Sequence, residues 1–152
     1  ASSKANLFIG VGYGSITHAA AVAEARGLKA GFSTAQPEGN ILNPMGTVTL
    51  TNSLGADKIE EDHVLLKGLS SLADSMVVSG VPAHGDNIED KGGIKVLATD
   101  KLGQKSLAVS TDETNGLRFV LDADLPRYYA AWTNQSPDTM KLLQNIMVFL
   151  AQ

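Results

Sequence analysis

Three glycines within five positions, Gly10, Gly12 and Gly14, separate a short apolar run from an alanine-rich one. That junction restricts the available folds more than any other feature of the chain. Asn6-Leu7-Phe8-Ile9 has the length and apolarity of a buried strand. Ile16 to Arg26, rich in Ala and Glu, has the composition of a helix, with Ser15 placed as its N-cap and Gly27 as its stop. A strand that feeds a helix through a glycine turn is the opening unit of an α/β sheet.

The same signals continue along the chain. Leu28 to Ser33 is a second strand candidate, followed by loops at Gln36–Asn40 and at Asn43-Pro44 with Gly46. Thr47 to Thr51 alternates with period two and is β-branched, as a half-buried strand is. Val64 to Leu69 is expected as a short helix ending at Gly68, Ser75 to Ser79 as a buried strand, and His84 to Gly93 as a polar loop. Three strand candidates follow, Ile94–Thr99, Ser106–Thr111 and Leu117–Asp122, joined by turns at Asp100–Gly103 and Asn115-Gly116. Asn-Gly suits a hairpin because both residues tolerate positive φ. The last helix is marked by Ser136 as N-cap, Pro137 at its first position and Asp138 in its first turn. Met140, Leu143, Met147 and Leu150 fall on one stripe, which is expected to be its buried side. The expected architecture is a single α/β domain over residues 1–152: a mixed sheet with a strand–turn–helix start, an antiparallel meander and a closing C-terminal helix.

Composition narrows the function. With 43% hydrophobic residues among 152, the chain can bury a sizeable core, and with only 5% aromatics that core is mainly Ala, Val, Leu and Ile. Net charge is −4 and the twelve basic residues are scattered, so nucleic acid is not an expected partner. The lack of cysteine excludes disulfides, thiolate nucleophiles and cysteine metal sites. No apolar run approaches the ~20 residues that span a bilayer, so no membrane span is expected. Ala1-Ser2-Ser3-Lys4 lacks a signal-peptide apolar stretch, and suits either a cleaved mature end or a removed methionine.

The glycine turn has two readings. Amides at a helix N-terminus attract anions, so Gly12, Gly14 and Ser15 form a candidate anion site. The spacing departs from the dinucleotide fingerprint, since its sixth position falls on Ser15, the second strand candidate ends in Ser33-Thr34 where an acidic residue is expected, and no Walker-type lysine follows. The preferred reading is a tight turn whose glycines supply backbone freedom.

This turn also resembles the Gly-x-Cys-x-Gly elbow of class I glutamine amidotransferase-like domains. The runs Ile94-Lys-Val-Leu-Ala-Thr, Ser106-Leu-Ala-Val, Gly116-Leu-Arg-Phe-Val-Leu-Asp-Ala-Asp and Asn145-Ile-Met-Val-Phe-Leu resemble the meander and helix that close non-catalytic members. Gly12 occupies the cysteine place, and Phe119 to Asp124 holds no His-x-Glu. The resemblance therefore implies a relative without the hydrolytic dyad, in which the strands that usually precede the elbow are missing.

Other candidates carry less chemistry. His18, His63 and His84 show no metal-ligand spacing. The stretch from His84 through Asp86, Asn87, Glu89 and Asp90 offers oxygen ligands but misplaces the positions of a calcium loop, so a solvated turn is expected. Asp122 and Asp124 share one side of a strand end, the arrangement used for acid–base work, yet beside Pro126 they are expected to be exposed and structural. Asn134-Gln135-Ser136 is a glycosylation triplet. Tyr128, Tyr129 and Trp132 concentrate aromatics in one stretch, suited equally to an interface or to the lid of a core. The expectation is a non-enzymatic domain without a cofactor, extracytoplasmic or particle-associated, that meets a protein partner or copies of itself through Tyr128, Tyr129 and Trp132. The alternative is a ligand-binding domain or enzyme using the Gly10–Ser15 turn.

Overall fold

A computed structural model of the chain describes residues 5–11, 16–34, 48–49, 58–59, 63–69, 77–78, 81–82, 86–99, 104–110, 117–128 and 137–152. The described strands are β1 (Leu7–Gly10), β2 (Ala30–Thr34), β3 (Val48–Thr49), β4 (Lys58–Ile59), β5 (Val77–Val78), β6 (Val81–Pro82), β7 (Asp86–Asp90), β8 (Ile94–Thr99), β9 (Lys105–Ser110) and β10 (Phe119–Asp122). The described helices are α1 (Ile16–Ala25) and α2 (Pro137–Ala151).

The main sheet has the order β1-β10-β9-β8-β4. β1 runs parallel to β10, with Leu7 opposite Phe119 and Gly10 opposite Asp122; the other neighbours are antiparallel. The fold is therefore α/β with a mixed sheet, a strand–turn–helix start, an antiparallel meander and a closing helix. β2 and β7 form a second sheet, and β3, β5 and β6 a third.

Both faces of the main sheet are covered, which explains why every residue of β10 is buried. Side-chain alternation divides the core in two. Ile9, Val11, Ile94, Ala108, Phe119 and Leu121 pack with Ala19 and Ala23 of α1, Phe32 of β2 and Ile88 of β7. Leu97, Leu107, Val109 and Val120 pack on the other face with Leu142 and Ile146 of α2 and with Leu65 and Leu66. α1 ends as its sequence suggests: Gly27 has φ +75°, Gly27 N–H donates to Glu24 O at 2.8 Å, and Leu28 N–H donates to Ala23 O at 3.0 Å. That paired closure needs a left-handed residue, which glycine adopts without steric cost.

The structure corrects three expectations. His84–Gly93 is not all loop, because β7 pairs along its whole length with β2, from Ala30 opposite Asp90 to Thr34 opposite Asp86. Among the described side chains of this polar strand Ile88 is the one fully buried, while Asn87 Oδ1 reaches across to accept Lys105 N–H of β9 at 2.8 Å. Val64–Leu69 is shorter than a helix: Val64–Leu66 makes one 3₁₀ turn, with His63 Nδ1 accepting Leu65 N–H at 3.2 Å. Asn145 Nδ2 then donates to Leu65 O at 2.8 Å and Lys67 O at 3.0 Å, so α2 holds carbonyls that a longer helix would use itself. On α2 the buried residues are Thr139, Leu142 and Ile146, whereas Met140 and Met147 are exposed. This helix is apolar on more than one side, so docking rather than composition selects the inward face. β4 and β6 are additional short strands, and the turns at 100–103 and 115–116 lie outside the described residues.

Candidate functional site at the carboxyl end of β1 and β10

β1 and β10 end side by side, and the chain beyond each is tied to the other. Val11 N–H donates to Asp122 O at 2.8 Å, and Leu125 N–H donates to Val11 O at 3.0 Å. Ala123 N–H donates to Ser106 O at 2.8 Å, after which Leu125–Tyr128 forms a 3₁₀ turn. Gly10 makes this approach possible, since a Cβ there would stand 2.5 Å from Leu125 Cδ1. In open α/β sheets ligands gather outside the carboxyl ends of parallel strands, so this corner is the first place to look for chemistry.

A buried polar cluster occupies it. Asp122, Asp124 and Arg127 are 0%, 1% and 1% exposed. Asp122 Oδ1 accepts Asp124 N–H at 2.8 Å and lies 3.3 Å from Arg127 Nη2. Asp122 Oδ2 accepts the Tyr128 hydroxyl at 2.5 Å. Arg127 Nε lies 3.6 Å from Asp124 Oδ2 and donates to Asp124 O at 3.3 Å. The expectation that the two acids are exposed is thus corrected: the 3₁₀ turn brings Arg127 back over both of them at i,i+3 spacing from Asp124.

Burial pushes the Asp122 carboxyl above its ordinary value of 3.8, and neighbouring Asp124 adds to the rise. Arg127, the Tyr128 hydroxyl and the Asp124 amide all favour the carboxylate, but burial outweighs them. Burial, then the adjacent Asp122, holds the Tyr128 hydroxyl well above 10.0. Each Asp122 oxygen already faces internal donors. The arrangement works as a strut that pins the strand ends to the 3₁₀ turn.

Tyr128, an interface candidate from sequence, is turned inward: its ring meets Phe8 edge-on at 5.6 Å and its hydroxyl binds Asp122. Tyr129 and Trp132, like Gly12, Gly14 and Ser15, lie outside the described residues. His18 is exposed on α1, and the His63 ring packs edge-on against Phe149 at 5.5 Å. Among the described residues, no three His, Asp or Glu side chains converge on a metal position. Sequence reasoning missed Arg127. The signal was its spacing after two acids in Asp122-x-Asp124-x-x-Arg127, which places a cation where one turn can return it to both.

A second feature is the outer side of α2, where Met147 is 65%, Val148 57% and Met140 43% exposed. At 100° per residue, Met140, Gln144, Met147 and Ala151 share one side, with Val148 beside them. The far end of the helix is held firmly. Arg118 Nη1 donates to Phe149 O at 2.9 Å, Asn6 Nδ2 donates to Leu150 O at 2.7 Å, and Asn6 Oδ1 accepts Arg118 N–H at 2.8 Å. The Arg118 guanidinium also lies 5.0 Å from the centre of the Phe149 ring. The apolar side chains face outward because the opposite side is docked.

No protein-family model, curated protein or solved structure matches the chain. Among the described residues, no helix is long and apolar enough to cross a membrane.

Proposed function

We propose that the chain is a non-enzymatic protein-contact domain that assembles with copies of itself. The observation that carries this reading is the outer side of α2, where Met140, Met147 and Val148 stand exposed on a helix whose orientation is fixed at its far end. Grouped apolar side chains on a rigid element are the usual core of a protein contact, and methionine adapts readily to a facing surface. The polar cluster supports the non-enzymatic part. The buried Asp122 carboxyl is raised above its ordinary value, and its oxygens are taken by Tyr128, Arg127 and the Asp124 amide. The resemblance to non-catalytic amidotransferase-like domains points the same way, because Gly12 stands where their catalytic relatives carry cysteine.

The anion-binding alternative gains no support from this corner. Asp122 and Asp124 flank the strand end from which the glycine turn leaves, and Arg127 lies against both of them. Light scattering after size exclusion tests the proposal. The parent is expected to exceed its 15.9 kDa chain mass as concentration rises, and a Met147→Glu, Val148→Lys double variant is expected to stay at that mass with unchanged melting. A variant that associates like the parent would remove α2 from the contact.

A further inference from the structure

We infer that His63 is a pH-sensitive latch: its neutral ring caps the 3₁₀ turn Val64–Leu66 and holds residues 63–69 against α2, and protonation of the ring releases that hold. The inference stands apart from the self-association reading, because it uses the docked side of α2 and not the outer one. His63 has φ −140° and ψ 151°, the extended backbone of an N-cap, and its Nδ1 accepts the Leu65 N–H at 3.2 Å. The usual cap residues, Ser, Thr and Asn, accept through an oxygen that does not titrate near neutrality. An imidazole nitrogen accepts only while it carries no proton, and in the imidazolium both ring nitrogens are donors. One bond thus exists in one protonation state, and in the other two N–H groups face each other.

The latch has a second, pH-independent partner. Asn145 Nδ2 of α2 donates to Leu65 O at 2.8 Å and to Lys67 O at 3.0 Å, and an amide does not titrate. Within the turn, Leu66 N–H donates to His63 O at 2.9 Å and Lys67 N–H to Val64 O at 3.3 Å. With so few backbone bonds, the cap is a large share of what closes the turn. Leu65 and Leu66 are buried with Leu142 and Ile146 of α2, so the turn covers one layer of the core. Losing the cap leaves the turn tethered through its carbonyls by Asn145 and loosened at its N-terminal side, a local opening and not global unfolding.

The surroundings of the ring set the sign. The His63 ring meets Phe149 edge-on at 5.5 Å, and the Arg118 guanidinium already lies 5.0 Å from the centre of that same Phe149 ring. Protonation therefore brings a second cation to one aromatic side chain. Lys67 stands exposed on the turn itself, and Lys141 of α2 lies beside Gly68, its Cε 3.6 Å from where a Cβ would be. Asp138, the one acid of α2, is about three turns of helix away from Phe149. The sheet presents Leu97, Leu107, Val109 and Val120 to this layer, all uncharged. Glu60, Glu61 and Asp62, just before the ring in sequence, lie outside the described residues. His63 is half-buried, so protons reach it without prior unfolding. Imidazole ordinarily takes its proton near pH ~6.5. Because the cap forms only with the neutral ring, its contribution is complete above that pH and is lost as pH falls through it.

Amide exchange on the unmodified chain gives the direct test, followed by nuclear magnetic resonance from about pH 8 to about pH 5, across the range in which imidazole titrates. Rates are divided by those of the unstructured chain at each pH, and the His63 ring resonances are recorded in the same samples. Protection of the Leu65 amide is expected to fall about fivefold, the loss of one cap, with its midpoint at the pH where the His63 ring titrates. The Leu28 amide, which donates to Ala23 O at the end of α1, is the control and is expected to keep its protection. His63→Asn keeps a cap acceptor that gains no proton, and should hold the Leu65 amide equally at both ends of the range. His63→Ala should show the low protection at every pH. Leu65 protection that stays constant while the His63 ring titrates overturns the latch. A pH step that survives in His63→Asn overturns it as well, by assigning the step to another group. Equal loss at Leu65 and Leu28 overturns it by showing that the whole domain opens.

Discussion

Replacing Arg127 with methionine removes the cation from between two buried carboxyls while keeping much of the side-chain volume. Arg127 is 1% exposed, lies 3.3 Å from Asp122 Oδ1 and 3.6 Å from Asp124 Oδ2, and donates to Asp124 O. Breaking a buried pair from one side costs about 3–5 kcal/mol, because the remaining charge stays in a poor solvent. The sign of the pH dependence follows from Asp122. Its folded-state pKa is raised above 3.8, so its contribution to stability is fully present below pH 3.8 and is lost as pH rises through the raised value. Arg127 opposes that rise, so Arg127→Met extends the loss to higher pH. The deficit of the variant is therefore small near pH 4 and widens by up to about 1.4 kcal/mol per pH unit for each proton retained on folding. It reaches the full 3–5 kcal/mol near neutrality. Urea unfolding followed by far-ultraviolet circular dichroism, run in parallel from pH 4 to about 7.5 over the window in which linkage acts, measures both quantities. A deficit that does not change with pH would show that Arg127 acts by packing alone and would refute the electrostatic reasoning.

Tyr128→Phe removes the hydroxyl donor to Asp122 and is expected to cost about 1–2 kcal/mol at neutral pH. Because burial raises the Tyr128 pKa, its stabilising contribution holds below pH 10.0 and fades as pH rises through the raised value. In an alkaline titration of tyrosinate absorbance, one tyrosine should ionise only with unfolding. Leu142→Ala, at a fully buried position, should cost about 2–5 kcal/mol. Met147→Ala should stay within about 0.5 kcal/mol, and equal costs would show that the helix is docked on another face. Asn145→Ala should loosen residues 63–69 at a cost of about 1 kcal/mol, seen as faster amide exchange at Leu66 and Leu69.

The elements that were legible from sequence are those where one local signal decides. The strand–glycine–helix opening, the β-rich meander and the Pro137 helix start all fall where the residues place them. β7 was not legible because Ile88 is the single apolar residue in Asp86–Asp90, so its Asp, Asn and Glu read as loop. The face of α2 was misjudged because Met140, Leu143 and Met147 are as apolar as Leu142 and Ile146, and only the sheet decides between them. At the candidate site, Asp122 and Asp124 were singled out as a pair sharing a strand end. Their burial depends on Arg127, which reaches them through a 3₁₀ turn that no periodicity announces. The place of β1 beside β10 is likewise a property of strand order, set by pairing partners more than a hundred residues apart in the chain.

Self-association through α2 is read most plainly from the mass of the protein in solution. Sedimentation velocity on the unmodified chain over a wide concentration range tests it most directly. The expected outcome is a reversible shift from the 15.9 kDa species to a species of at least twice that mass, with the transition lost in the Met147→Glu, Val148→Lys variant. A single 15.9 kDa species at every concentration contradicts it.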